Sequence, residues 1–130
     1  QVGLGRLDMS WHNLTSIPTN SVYEFEENAI KETELFPPSK ETTTSCAFSH
    51  IFQGGYSAGY YSYKWAEVLE ADTFELFKET GIYNKETATN FLENILSRGG
   101  SEHPMELYKK FRGKEPSTKA LLVKTGLIEG

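Results

Sequence analysis

Cysteine occurs once, as Cys46, which excludes an internal disulfide framework and any zinc centre built from cysteines. Histidine is almost as scarce. His12, His50 and His103 are the only three, and no two of them share the i, i+4 spacing of a His-Glu-x-x-His metal helix. Positive charge is short too: Lys+Arg 13 stand against Asp+Glu 18, a net −5, so there is no surplus of cations to neutralise phosphates and nucleic acid is not an expected partner. Apolar runs stay far below the ~20 residues that span a bilayer, and no membrane partner is expected. No repeat and no low-complexity tract occurs. The chain opens on Gln1, in what reads as the middle of an element, so the lack of a signal segment says nothing about compartment. Cytoplasmic and periplasmic locations both stay open.

What is present is the composition of a folded domain. Over 130 residues, 38% are hydrophobic, 24% charged and 13% aromatic, enough for one unit spanning residues 1–130. Helical periodicity dominates. Leu4, Leu7, Trp11 and Leu14 mark an amphipathic opening helix. Ser21 and Glu24 form a capping box for a second helix that is expected to bury Val22, Phe25, Ala29 and Ile30. Phe36-Pro37-Pro38 stops that helix, and residues 39–45 form a polar connector. A long helix runs from about Tyr60 to Lys78 and closes at Gly81. Along it Glu67, Glu70, Asp72 and Glu75 read as a solvated face.

Three short helices follow. Ala88, Phe91, Leu92, Ile95 and Leu96 make a stripe behind the cap Asn84; Pro104 starts a helix carrying Leu107, Tyr108 and Phe111; Pro116 starts the last, with Ala120, Leu121 and Leu122. Only the apolar run Cys46–Phe52 reads as a strand candidate. The expected class is all-α, a compact array of about six helices with a glycine-rich loop before the longest, at roughly 60% helix against a usual third.

The loop region carries the chemistry. Tyr56, Tyr60 and Tyr63 fall at i, i+4 and i+7, so any helical part of the stretch lines their phenols along one side. Phenols so placed can donate to a carbonyl or to the oxyanion formed from it. They can equally be packing residues with wet hydroxyls. The surrounding Gly54, Gly55, Ala58 and Gly59 permit close backbone approach to a ligand, or simply make a turn. Of the histidines, His50 alone sits beside this loop; His12 reads as a packing or capping residue and His103 as a helix start.

Two other chemistries compete. Gly55-Tyr56-Ser57-Ala58-Gly59 fits the nucleophile elbow G-x-S-x-G, with Asp72 and His103 following in hydrolase order, but the elbow needs a preceding parallel strand and a sheet that this helical chain does not supply. Cys46 and His50 at i, i+4 are a formal thiolate–imidazolium pair, although a lone cysteine in an apolar run is commonly a small buried hydrophobe.

The run Phe48-Ser49-His50-Ile51-Phe52-Gln53-Gly54-Gly55-Tyr56-Ser57-Ala58-Gly59-Tyr60-Tyr61-Ser62-Tyr63-Lys64-Trp65-Ala66-Glu67-Val68 resembles the C-terminal signature of the thimet oligopeptidase and peptidyl-dipeptidase family of zinc metallopeptidases. Leu7-Asp8-Met9-Ser10-Trp11-His12, Ile95 to Glu102, Phe111 to Pro116 and Gly126-Leu127 resemble that family's flanking blocks in order, so the likeness covers nearly the whole chain, with the tail closer to the bacterial peptidyl-dipeptidases.

The resemblance implies that Tyr63 donates to the oxyanion of the tetrahedral intermediate and that His50 hydrogen-bonds the bound peptide near the cleavage site. Tyr56 and Tyr60 would contact substrate, and Gly54, Gly55 and Gly59 would form an adaptable loop. The family's His-Glu-x-x-His, third zinc ligand and general base are absent from this sequence. The expectation is therefore a C-terminal helical substrate-binding and catalytic subdomain of a longer zinc peptidase. Its partners would be short peptides and the N-terminal zinc-binding part of the parent. Zn²⁺ is expected in that parent and not on this chain, which alone would be inactive and prone to self-association. The alternative is a non-catalytic all-α interaction module that keeps the family scaffold.

Overall fold

The computed structural model describes residues 1–37, 39 and 41–130, and among them it contains eight α-helices and no strand. Pro38 and Lys40, which the sequence reading assigns to a helix stop and a polar connector, lie outside the described residues. Two units can be described separately, Gln1–Lys64 and Trp65–Gly130.

The first unit holds α1 (Val2–His12), α2 (Val22–Ile30), α3 (Thr44–Ala47), α4 (His50–Gln53) and the first residues of α5 (Ser62–Thr80). The apolar stripe of α1 packs on α2: Leu7 is fully buried, Ile30 is buried, and the Trp11 and Phe25 rings lie 4.0 Å apart. Leu14, expected in the stripe, falls beyond the end of the helix and is exposed. The capping box is present, with the Ser21 hydroxyl accepting from the Glu24 amide and the Glu24 carboxylate accepting from the Ser21 amide. Val22 is exposed instead of buried, and Glu26 takes an inward place.

Glu26 explains why residues 46–52 are not a strand. Its carboxylate accepts from the Thr44 amide, the Ser45 amide and the Ser45 hydroxyl, each at 2.7 Å, and so occupies the free donors at the start of α3. Trp11 Nε1 donates to the same Ser45 hydroxyl at 2.8 Å. Burial works to raise the Glu26 carboxyl, but the hydrogen bonds from Ser45 and Thr44 outweigh it and hold the group below the usual range. The apolar residues Phe48, Ile51 and Phe52 consequently sit on or between two helical turns, with Ile51 fully buried.

The second unit comprises the rest of α5, α6 (Lys85–Phe91) running into a π turn (Leu92–Leu96), α7 (Pro104–Arg112) and α8 (Lys119–Lys124). Asn84 caps α6 through the Thr87 amide, and His103 caps α7 by accepting from the Met105 amide at 3.2 Å. The last helix begins at Lys119, three residues after Pro116. The Phe77, Phe91 and Phe111 rings meet at separations of 5.2–6.4 Å, and Val68, Ala71, Leu107, Tyr108 and Ala120 complete the buried set.

The acidic face of α5 is not uniformly solvated. Glu70 is exposed and pairs with Lys124 at 2.6 Å, whereas Asp72 is only 3% exposed. The Tyr108 hydroxyl donates to Asp72 Oδ2 at 2.6 Å, and Arg112 Nε lies 3.4 Å from the same oxygen. Burial, together with the bond to Asp72, pushes the Tyr108 phenol up to about 12. The neutral phenol is thus favoured in the folded state: its contribution to stability is complete below pH ~10 and is lost as pH rises toward 12. Alkaline titration of this chain is expected to show tyrosinate absorbance and loss of helix rising together in that window, and Tyr108→Phe should abolish the coupling.

Among the described residues, no helix is long and apolar enough to cross a membrane.

Candidate active site

His50 opens α4, and the chain then bends through Gly54–Tyr61 before entering α5 at Ser62. Tyr56 and Tyr60 therefore stand on turns, and only Tyr63 stands on the first turn of α5. The side-by-side array expected from a continuous helix is produced instead by a loop. Even so, the residues converge. The His50 ring lies 4.6 Å from Tyr56, 5.7 Å from Tyr60 and 6.1 Å from Tyr63, centroid to centroid. Tyr63 stacks on Tyr56 at 5.2 Å and meets Tyr60 at 5.0 Å. Phe48 closes the back of the cluster, edge-on to both His50 and Tyr60.

Tyr63 is 37% exposed, and its ring packs against those of Tyr56, Tyr60 and His50. A hydrogen bond with the Tyr56 side chain, then burial and the nearby Tyr56 and Tyr60 phenols, raise the Tyr63 phenol above its ordinary value. A phenol is protonated at neutral pH in any case; the upward shift extends the range over which Tyr63 remains a donor.

Two of the glycines have specific local reasons. A Cβ on Gly54 would lie 2.7 Å from His50 Cδ2 and 2.8 Å from the His50 carbonyl oxygen, so only glycine lets the chain turn back over the histidine. Gly55 has φ +77°, the left-handed region where side chains are strained. Gly59 meets nothing closer than ordinary contact, and its amide donates to the Tyr56 carbonyl at 2.8 Å.

The competing chemistries find other employment for their residues. Ser57 Oγ donates to the Ile51 carbonyl at 2.6 Å, Asp72 is engaged by Tyr108 and Arg112, and His103 caps α7. Cys46 is exposed on α3, and His50 turns its ring to the tyrosines.

Sequence reasoning missed Asp8. It is fully buried on α1, with Oδ1 accepting from the Ala58 amide and Oδ2 from the Tyr60 amide, both at 2.9 Å. His12 Nδ1 lies 2.8 Å from Asp8 Oδ1. The signal was available: Asp8 sits within the Leu4–Leu7–Trp11 stripe, where an acid must find internal partners.

Among the described residues, no three His, Cys, Asp or Glu side chains come together in a way that could hold a metal ion. The residues present do not fit a zinc centre within this stretch of chain.

Comparison with known proteins supplies the wider frame. The profile of Peptidase family M3 matches residues 1–127. Oligopeptidase A of Escherichia coli (strain K12) is 64% identical over 81 residues, 62% of this chain and 12% of that protein. Oligopeptidase A of Haemophilus influenzae is 45% identical over 117 residues, covering 90% of this chain and 17% of that protein. The dipeptidyl carboxypeptidase of Salmonella typhimurium is 40% identical over 128 residues, 97% of this chain and 19% of that protein. The chain thus spans less than a fifth of the length of these curated relatives.

Proposed function

The chain belongs to peptidase family M3, and from that premise we propose that it is the substrate-holding and oxyanion-stabilising part of a zinc oligopeptidase or peptidyl-dipeptidase acting on short peptides. The observation that supports this reading is the convergence of the His50, Tyr56, Tyr60 and Tyr63 rings, with Tyr63 37% exposed.

M3 enzymes are zinc peptidases, and the zinc would be held by residues outside this stretch; when bound, it supplies the activated water. What the residues here contribute can be stated atom by atom. The Tyr63 hydroxyl donates to the carbonyl oxygen of the scissile bond as negative charge develops there. His50 hydrogen-bonds the peptide beside that bond. Tyr56 and Tyr60 flank the substrate chain, and the bend at Gly54–Gly55 lets backbone approach backbone. The same stacking that would merely pack the rings also fixes the direction of the Tyr63 hydroxyl, so the packing and catalytic roles weighed from the sequence are compatible.

The test is a pair of assays. The full-length protein carrying this chain is expected to cleave short peptides and to lose that activity on chelation, with recovery on adding Zn²⁺. The 130-residue chain alone is expected to cleave nothing and to retain no stoichiometric zinc. A full-length protein that encodes no His-Glu-x-x-His upstream and cleaves no peptide would instead make this chain a non-catalytic interaction module.

A further inference from the structure

We propose that Asp8 is the positioning residue of the tyrosine cluster, a clamp on α1 that fixes residues 58–60 more firmly than the bend at Gly54–Tyr56 is held. The proposal rests on the peptidase reading for its kinetic consequence, but not for its structural content.

Both oxygens of a fully buried carboxylate are spent on backbone amides two residues apart, Ala58 and Tyr60. A carboxylate accepting through both oxygens has no inward donor of its own to satisfy, which suits two N–H groups that point the same way. Its charge is faced by His12, whose Nδ1 lies 2.8 Å away. The clamped segment is one that would not choose its shape unaided: Ala58 is the one described non-glycine residue with positive φ, at +55°, a left-handed conformation that alanine rarely adopts. Surroundings that over-determine such a residue are needed to keep it there, and the Asp8–amide bonds are the over-determination on this side of the loop.

A second tie holds the next residue back, where Ser57 Oγ donates to the Ile51 carbonyl at 2.6 Å. Beyond Tyr60 the chain is already entering α5, with the Ser62, Tyr63 and Lys64 amides donating to the Gly59, Tyr60 and Tyr61 carbonyls. From Ser57 to Tyr63 the backbone is therefore fixed from three directions. Between α4 and Ser57 lie Gly54, Gly55 and Tyr56, and a Cβ on Gly55 would meet nothing within 4 Å. The site divides accordingly. His50, Tyr60 and Tyr63 are set by the scaffold, whereas Tyr56 follows the Gly54–Gly55 bend and is tied to the rest through its carbonyl, which accepts from the Gly59 amide, and through its ring against His50 and Tyr63. Reaction geometry then stays constant while the residue that meets varied substrate side chains can adjust.

The experiment uses the full-length protein carrying this chain and combines hydrogen exchange with kinetics. In the native protein the Ala58 and Tyr60 amides should exchange at least tenfold more slowly than those of Gly55 and Tyr56. Asp8→Asn keeps the volume but turns an NH₂ donor toward one of the two amides. It is expected to speed exchange at Ala58 and Tyr60 about tenfold while leaving α2 unchanged, and to lower kcat about tenfold with KM altered less than threefold, because misdirected donors are felt in the transition state.

Native Ala58 and Tyr60 amides that exchange as fast as those of Gly55 and Tyr56 would overturn the proposal even if the variant does not fold. So would a folded Asp8→Asn protein with unchanged exchange, or one with faster exchange and unchanged kcat. A native protein that cleaves no peptide would sink the peptidase reading, and the exchange measurements would still decide the clamp.

Discussion

Tyr63→Phe in the full-length protein is expected to reduce kcat by about 10²–10³ while KM stays nearly constant, the loss typical of removing one oxyanion donor. The change deletes a single hydroxyl and keeps the ring that stacks on Tyr56 at 5.2 Å and meets Tyr60 at 5.0 Å, so folding should be untouched. The effect falls on kcat because a neutral phenol bonds a ground-state carbonyl only weakly and an oxyanion strongly. Because the neighbouring phenols raise Tyr63 above its ordinary value, the native full-length protein should show no tyrosine ionisation in its kcat profile up to pH ~10. Steady-state kinetics on one peptide measure both. An unchanged kcat/KM would leave Tyr63 as a packing residue only.

The second large effect concerns stability. Arg112→Met is expected to destabilise the 130-residue chain by about 3 kcal/mol, read from the urea midpoint. The Arg112 side chain is 6% exposed and that of Asp72 4%, so removing the cation leaves a buried carboxylate with Tyr108 as its remaining partner. The figure sits at the lower end of the range for broken buried pairs because that Tyr108 bond survives. Arg112 Nε itself has no hydrogen-bond partner, and the guanidinium is held outward by Glu79 at 3.1 Å, so the pair is geometrically imperfect. Removing both charges with Asp72→Leu and Arg112→Met should therefore cost less than Arg112→Met alone. A loss below ~1 kcal/mol for the single variant would mean that Asp72 reaches water.

Most elements were legible because their signals are local. The Ser21–Glu24 box, the Asn84 cap and the His103-Pro104 start each act within four residues, and all are found where the sequence puts them. Errors arose where a partner from another element decides. Cys46–Phe52 has strand-like composition, yet the carboxylate of Glu26, some twenty residues upstream, accepts from the Thr44 and Ser45 amides and sets a helix start there. Asp72 looked solvated because its neighbours on α5 are acidic, and only the arrival of Tyr108 and Arg112 gives it an interior. The site itself was legible in part. Residue types and spacing single out His50, Tyr56, Tyr60 and Tyr63, but the loop that gathers them depends on Asp8, and nothing in residues 46–65 signals that dependence.

The contacts from Asp8 to Ala58 and Tyr60 join residues 50 and 52 positions apart. This separation makes the loop a poor candidate for transplantation. A graft of residues 46–65 into another helical scaffold would carry every side chain of the aromatic cluster and still arrive without its mould; a graft that also brings Val2–His12, docked in the same register, would keep it. Swaps between relatives should accordingly exchange α1 and the loop as one cassette.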